Sequence, residues 1–220
     1  MSSPTLLIDP VAYLLGLLPH SQDATPPRIV IGLVGLPGSG KSTLAAKLVD
    51  AVNERTQSAT AMALSMDGFH LSKAALAQFA DPQAALVRRG SPWTFDAARL
   101  AMNVQHLREK PDKTHTWPAF EHGVGDPVEH ALVILPHVKL LIVEGLYLLH
   151  RAHGWQLKGL LDECWYLDIP MDVAMQRLVN RHMVTWSLSQ EQALARLAVN
   201  DRLNADIVLQ TRGLADKLIT

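Results

Sequence analysis

Several things are scarce in this chain, and each scarcity excludes something. One cysteine, Cys164, stands among 220 residues, so neither an intramolecular disulfide nor a multi-cysteine metal site can form. A lone thiol also suits a reducing compartment. No sign of charge is in excess: 20 Lys plus Arg meet 21 Asp plus Glu, for a formal net charge of −1. A general electrostatic grip on nucleic acid or on an anionic membrane needs a basic surplus, so neither is expected as a partner. No apolar run approaches the roughly 18 residues that begin to suggest a membrane span. The first ten residues carry no Lys or Arg, and Asp9-Pro10 interrupts the apolar stretch that comes next, which argues against a secretory leader. What is plentiful is ordinary: 48% hydrophobic and 19% charged residues describe a chain that folds around a core. A globular, cytoplasmic protein is the expectation.

Pro10–Leu18 reads as a short helix packed on the domain, and Ser21–Pro27, with its Pro-Pro pair, as a linker. Residues 1–27 are therefore set apart from a main domain over 28–220. From Arg28 onward, apolar β-rich stretches alternate with helical patterns, the signature of a parallel sheet with crossover helices. Arg28–Gly35 is a nearly continuous apolar run, as a strand buried on both faces should be. Lys41–Arg55 repeats Leu44, Leu48 and Val52 on one helical face. Strands are expected at Thr60–Asp67, Lys139–Glu144 and Glu163–Ile169, with a last short one near Ile207–Leu209. Helices are expected at Asp96–Glu109, N-capped by Asp96, at Asp172–Trp186 and at Gln190–Leu203. Long loops remain at 68–81 and 111–130, where function often resides. The fold class is a three-layer, doubly wound, mainly parallel α/β domain.

Gly35-Leu36-Pro37-Gly38-Ser39-Gly40-Lys41-Ser42 matches G-x-x-x-x-G-K-[ST], the P-loop. Glycines let successive N–H groups turn inward and let phosphate oxygens approach closely. The helix after the loop, with Thr43 in its first turn, offers unpaired amides and a positive dipole end to an anion. Lys41 would reach the β- and γ-phosphates of ATP, and the Ser42 hydroxyl can ligate Mg²⁺. The loop announces a nucleoside triphosphate but not the reaction, since GTPases, motors and small-molecule kinases share it. No Asn-Lys-x-Asp selector for guanine is present.

Further strings occur in order: Ser65-Met66-Asp67-Gly68-Phe69-His70, Arg88-Arg89-Gly90-Ser91-Pro92-Trp93-Thr94-Phe95-Asp96, Trp117-Pro118-Ala119-Phe120-Glu121-His122 and Ile142-Val143-Glu144-Gly145-Leu146-Tyr147. With the P-loop, this order resembles the uridine kinase, phosphoribulokinase and type I pantothenate kinase superfamily, over about residues 28–210. The short length and Asn200-Asp201-x-x-Asn204 look like its small uridine kinase-like group. The resemblance implies a P-loop metabolite kinase with a helical lid, ATP and Mg²⁺ as cofactors, and a small-molecule hydroxyl acceptor.

The residues support that reading one by one. Asp67 ends the strand taken to lie beside the P-loop strand, where open α/β sheets bind ligands. There a carboxylate can orient an attacking hydroxyl and take its proton, although a plain Asp-Gly turn explains the same pair. Glu144 ends an apolar strand, as a Walker-B-like acid holding Mg²⁺ does, and in some relatives the corresponding acid meets substrate instead. Arg177 and Arg181 share one helical face and would stabilise charge on the transferring phosphoryl group; a solvated basic stripe is the bland alternative. Relatives carry a glycine a few residues beyond the second arginine, and residues 183–189 hold none. Arg196 and Arg202 are further candidates to face the nucleotide. For the acceptor, Pro118 and His122 match the family's Pro-x-Tyr-x-His pattern with Phe120 in place of the tyrosine. His70 and Arg89 are weaker candidates, and Trp93 and Trp117 could wall the pocket. The His150/His153 pair lacks a third metal ligand, and Cys164 reads as packing. Asn200, Asp201 and Asn204 would flank the adenine or hold the lid arginines.

The expected function is transfer of the γ-phosphoryl group of ATP to a hydroxyl of a pantothenate-, nucleoside- or sugar-like metabolite. The alternative is a nucleotide hydrolase working as a switch or chaperone with no small acceptor. Small kinases of this type often self-associate, so a homodimer is one candidate form.

Overall fold

The computed structural model describes residues 3–19, 26–121 and 125–220. Most of the expected linker, and His122, lie outside them. The chain begins with β1 (Thr5–Leu6) and α1 (Pro10–Leu17), whose N-cap Asp9 accepts from the Ala12 amide at 2.9 Å. Then come β2 (Ile29–Gly35), α2 (Lys41–Thr56) and β3 (Ala61–Ser65). Two short helices, α3 (Lys73–Leu76) and α4 (Pro82–Val87), precede α5 (Ala97–Glu109), and Asp96 caps α5 through the Arg99 amide as expected. Next are β4 (His115–Glu121), β5 (Asp126–Ile134), β6 (Leu140–Gly145) and β7 (Glu163–Leu167). The chain closes with α6 (Met171–Trp186), α7 (Gln190–Arg196), α8 (Arg202–Leu209) and β8 (Lys217–Ile219). A π-helical turn, Leu197–Asp201, joins α7 to α8.

Six strands form one sheet in the order β1-β8-β7-β2-β6-β3, and every pairing is parallel. Alternate side chains of β2 enter separate cores. Ile31 and Leu33 pack with Leu14, Leu48, Val52 and Trp165 under α1 and α2. Val30 and Val34 pack with Leu100, Val104, Leu178 and Val208 on the opposite face. That double burial is why the strand reads as an unbroken apolar run. The base of β2 is fastened by Arg28, only 2% exposed. Its guanidinium donates to the carbonyls of Val138, Leu107, Lys110, Lys113 and Leu135 at 3.1–3.4 Å.

The structure corrects the sequence reading in four places. His115–Glu121 and Asp126–Ile134 pair as antiparallel strands where a loop over 111–130 was expected. This hairpin pair stands outside the main sheet, and its register shifts between Trp117 and Ala119, where a proline such as Pro118 is tolerated. Ile207–Leu209 belongs to α8, since Asn204, Ala205 and Val208 are buried at helical spacing. The last strand is Lys217–Ile219, too short to announce itself. Finally, β3 is not the neighbour of β2, because β6 lies between them.

Candidate active site

The loop between β2 and α2 makes a cradle from backbone. Gly40 caps α2 in the left-handed region, φ 96°, and no side chain satisfies the amides of the helix start. Those amides and the dipole of a 16-residue helix are left for an anion. Gly38, φ 78°, lies so close to α6 that an added Cβ would fall 2.3 Å from the Ala174 carbonyl oxygen. Within the loop, the Ser39 hydroxyl is buried with no hydrogen-bond partner among the described residues. The Lys41 ammonium makes one long bond, 3.4 Å, to the Leu36 carbonyl. Ser42 Oγ donates to Glu144 Oε1 at 3.1 Å. Burial pushes Lys41 below the usual ammonium value, although Glu144 and Asp67 pull it back up. Burial likewise raises Glu144 above the ordinary carboxylate range, with Lys41 opposing. A buried cation and anion beside an unpaired hydroxyl, that of Ser39, fit a polyphosphate with its metal. Ser42 and Glu144 also supply the hard oxygen donors that Mg²⁺ prefers.

Asp67 sits in a single 3₁₀ turn, Met66–Phe69, directly beyond β3. Ser65 Oγ accepts from the Asp67 amide at 3.2 Å, as a serine N-cap does. The turn is seated under the hairpin: a Cβ on Gly68 would come within 2.1 Å of the Pro118 carbonyl, so only glycine fits. The Asp67 carbonyl accepts from His70 Nδ1 at 2.8 Å, and a carbonyl can only accept, so Nδ1 carries the proton. The His70 ring lies against Phe95 and Phe120, with centroids 4.0 and 4.6 Å away. Arg89 donates to the Leu71 carbonyl and to Asp126, both at 2.7 Å, and to the Gly125 carbonyl. It stands 5.2 Å from the Phe120 ring centre. Arg89 is thus a strut between its own turn and the hairpin, with its charge met by Asp126.

The opposite side of the cleft is built by α6, α7 and the π-helical turn. Arg177 Nη1 donates to the Ser39 carbonyl at 3.1 Å, touching the cradle itself. One turn on, Arg181 lines the cleft and the smaller hollow beside the loop. Helix α6 ends at Ser187, φ 51°, which adopts the left-handed geometry usually left to glycine. The missing glycine is therefore replaced in conformation, and Ser189 opens α7 with a capping box to Gln192.

Lys41, Ser42, Asp67, Glu144 and Arg181 line one cleft of about 610 Å³, whose far end holds His70, Arg89 and Phe120. Gly40, Thr43 and Arg177 line the adjoining hollow of about 240 Å³. Gly35, Leu36 and Ser39 are buried in the loop, and Pro37 and Gly38 border the cleft. Other expectations go elsewhere. Trp117 is fully buried, donating to the Ser65 carbonyl at 2.8 Å, and Trp93 packs on Phe79; neither borders the cleft. Arg202 pairs with Asp206 on the surface. His150 and His153 meet each other at 3.2 Å, with Tyr147 beside His150, and no group of three metal-ligating side chains occurs among the described residues. Asn200, Asp201 and Asn204 do line the cleft, as does Arg196, but the three bond to neither lid arginine. Asn200 donates to the Arg89 carbonyl, Asp201 accepts from His182, and Asn204 accepts from Arg88 and Ser91. The sequence reading missed Lys73, His182 and Trp186 at the cleft; Trp186 at a helix end and His182 beside Arg181 carry no pattern of their own.

Known proteins agree with this geometry. The model of the phosphoribulokinase/uridine kinase family matches residues 30–205. A Schizosaccharomyces pombe protein provisionally named uridine kinase C227.14 is 39% identical, over 87% of this chain and 80% of its own. The ATP-dependent kinase YFH7 of Zygosaccharomyces rouxii is 30% identical over 98% of this chain and 67% of its own. A crystal structure from Silicibacter sp. TM1040, described provisionally as a fructose transport system kinase, superposes with a TM-score of 0.82 at 32% identity, covering 96% of each chain. No described helix is long and apolar enough to cross a membrane. With a P-loop, an acid beyond β3 and a second acid at the end of β6 facing one cleft, the chain belongs to the phosphoribulokinase/uridine kinase family of P-loop kinases that act on small metabolites.

Proposed function

We propose that this chain transfers the γ-phosphoryl group of ATP to a hydroxyl of a nucleoside-, sugar- or pantothenate-like metabolite, with Mg²⁺. One observation carries the reading: the cradle, Asp67 and an aromatic-walled recess open into a single cleft. The loop amides and Lys41 hold the phosphates. Ser42 and Glu144 hold the metal, which when bound neutralises charge on the β- and γ-phosphates. Asp67 orients the acceptor hydroxyl in line and takes its proton as the new O–P bond forms and the bond to the bridging oxygen breaks. Arg181, with Arg177 behind it, meets the charge that spreads over the transferring group. The names of the relatives, which mention uridine and fructose, favour a polyhydroxylated acceptor.

The test is ADP release with and without a panel of nucleosides, sugars, glycerate and pantothenate. Stimulation by one acceptor is expected. Slow release indifferent to all of them supports the switch reading instead. Asp67→Asn is expected to lower stimulated turnover by about 10²- to 10⁴-fold, the usual contribution of a general base, with ATP affinity kept. Full turnover in that variant removes Asp67 from the mechanism.

A further inference from the structure

The π-helical turn Leu197–Asp201 does more than join two helices. Such turns insert an extra residue and are frequent at functional sites. This one presents consecutive side chains to two different parts of the molecule. Asp201 Oδ2 meets His182 Nε2 at 2.7 Å, and His182, 2% exposed, is next to Arg181 in the chain. Asn200 Nδ2 donates to the Arg89 carbonyl at 3.0 Å, in the turn before α5 whose strut reaches Asp126 and Phe120. The same turn is secured again where Arg88 donates to the Val199 carbonyl at 2.8 Å and to Asn204 Oδ1 at 3.3 Å. Ser91 donates to Asn204 Oδ1 as well, at 3.2 Å. On the lid side, His182 stacks on Trp186, with centroids 4.7 Å apart and planes at 22°. Arg196 lies over the other partner of that stack, 4.1 Å from the Trp186 ring.

We propose that Asn200 and Asp201 are positioning residues that tie Arg181 to the acceptor-side turn Arg88–Gly90, so that filling the phosphate end of the cleft orders the acceptor end, and the reverse. The proposal rests on the kinase reading above. Neither residue need touch a reacting atom. Each grips one of the two parts, and they are neighbours in the chain, so a shift at either end is passed on through a single peptide unit. Arg181 has no carboxylate partner among the described residues. The His182–Asp201 contact is the polar bond next to Arg181 that fixes the helix turn carrying it to the π-helical turn. Linkage makes the effect reciprocal.

The test is hydrogen–deuterium exchange on the whole chain with Mg²⁺ and the non-hydrolysable analogue AMP-PNP, which needs no knowledge of the acceptor. In the native chain, AMP-PNP is expected to slow exchange at residues 86–91 about fivefold or more, the lower end of ordinary coupling. Asp201→Ala severs the lid end. The turn end is severed by combining Arg88→Met, which removes the bonds to the Val199 carbonyl and Asn204, with Asn200→Asp, which still accepts from Asn204 at this spacing but cannot donate to the Arg89 carbonyl. Both are expected to bind AMP-PNP and lose the protection, while Asp201→Asn, which still offers an oxygen to His182, restores it. Protection that persists in both severed variants would mean direct contact with the nucleotide and overturns the proposal. So does a native chain that binds AMP-PNP with no change at 86–91. A chain that binds no AMP-PNP overturns the kinase reading, and this inference with it.

Discussion

Gly38→Ala puts the cradle under a defined strain. At φ 78° an L-residue costs roughly 1–2 kcal/mol more than glycine. The new Cβ would also sit 2.3 Å from the Ala174 carbonyl oxygen and 2.7 Å from Leu178 Cγ, against an ordinary contact of 3.4 Å or more. Something has to move by about 1 Å. Ala174 and Leu178 are both fully buried, so shifting α6 would disturb a packed core, at roughly 1–3 kcal/mol for overpacking. The loop is the cheaper part to displace, and affinity rather than stability should bear most of the loss. Hydrogen bonds to a charged group are worth about 1.5–3 kcal/mol each. Spoiling one of them weakens ATP binding by about ten- to hundredfold. Calorimetric titration with Mg²⁺ and AMP-PNP measures that directly, and guanidinium unfolding measures what stability is lost, about 1–2 kcal/mol. An affinity within about twofold of the native chain's, a shift of no more than about 0.4 kcal/mol, would show that the loop tolerates the Cβ and that its geometry is not what holds the phosphates.

Two further perturbations bear on the scaffold. Arg28→Met removes the charged donor from five carbonyls at the base of β2. It is expected to lower stability by about 3–5 kcal/mol, as breaking a buried charged network does; a loss under about 1 kcal/mol by denaturant unfolding would show that water replaces the side chain. Arg212 donates to both carboxylate oxygens of Asp168 and so holds that group below its usual value. A depressed carboxylate adds stability above its unfolded value of about 3.9 and loses it as the pH falls through the folded value. The gap in melting temperature between the native chain and Arg212→Met should therefore be widest near neutral pH and close in acid. A gap unchanged down to about pH 2, below the ordinary carboxylate range, contradicts the pairing.

The elements that come from repetitive patterns were legible in the sequence. Buried parallel strands write long apolar runs, α2 writes its spacing of Leu44, Leu48 and Val52, and Asp96 marks the start of α5 because a short acid ahead of a periodic stretch has one good use. The cradle was legible because its chemistry constrains consecutive residues. What the sequence concealed depends on distant partners. The pairing of β4 with β5 was not seen, since strands outside the main sheet need not write the apolar run of a buried parallel strand, and β4 and β5 carry Pro118 and Pro127. Nothing local shows that β6 slides between β2 and β3, bringing Glu144 level with Ser65 and within reach of Ser42. Arg89 could be read as a candidate substrate ligand, but its pairing with Asp126, 37 residues away, could not be read. The Asn200-Asp201-x-x-Asn204 string could be seen but not interpreted, because its two hands close on segments far apart in the chain.

The seat of Asp67 also determines which side of the molecule is able to open. Gly68 is pressed on the Pro118 carbonyl, Trp117 bonds to the Ser65 carbonyl, and its ring meets Phe69 edge-on at 4.8 Å. Floor and hairpin are welded along this seam, with no slack for sliding. Across the cleft the helical flank is interrupted, since α6 breaks at Ser187. In the proposed mechanism the base is then held in the floor by the hairpin throughout turnover, and adjustment to solutes falls to the residues beyond that break.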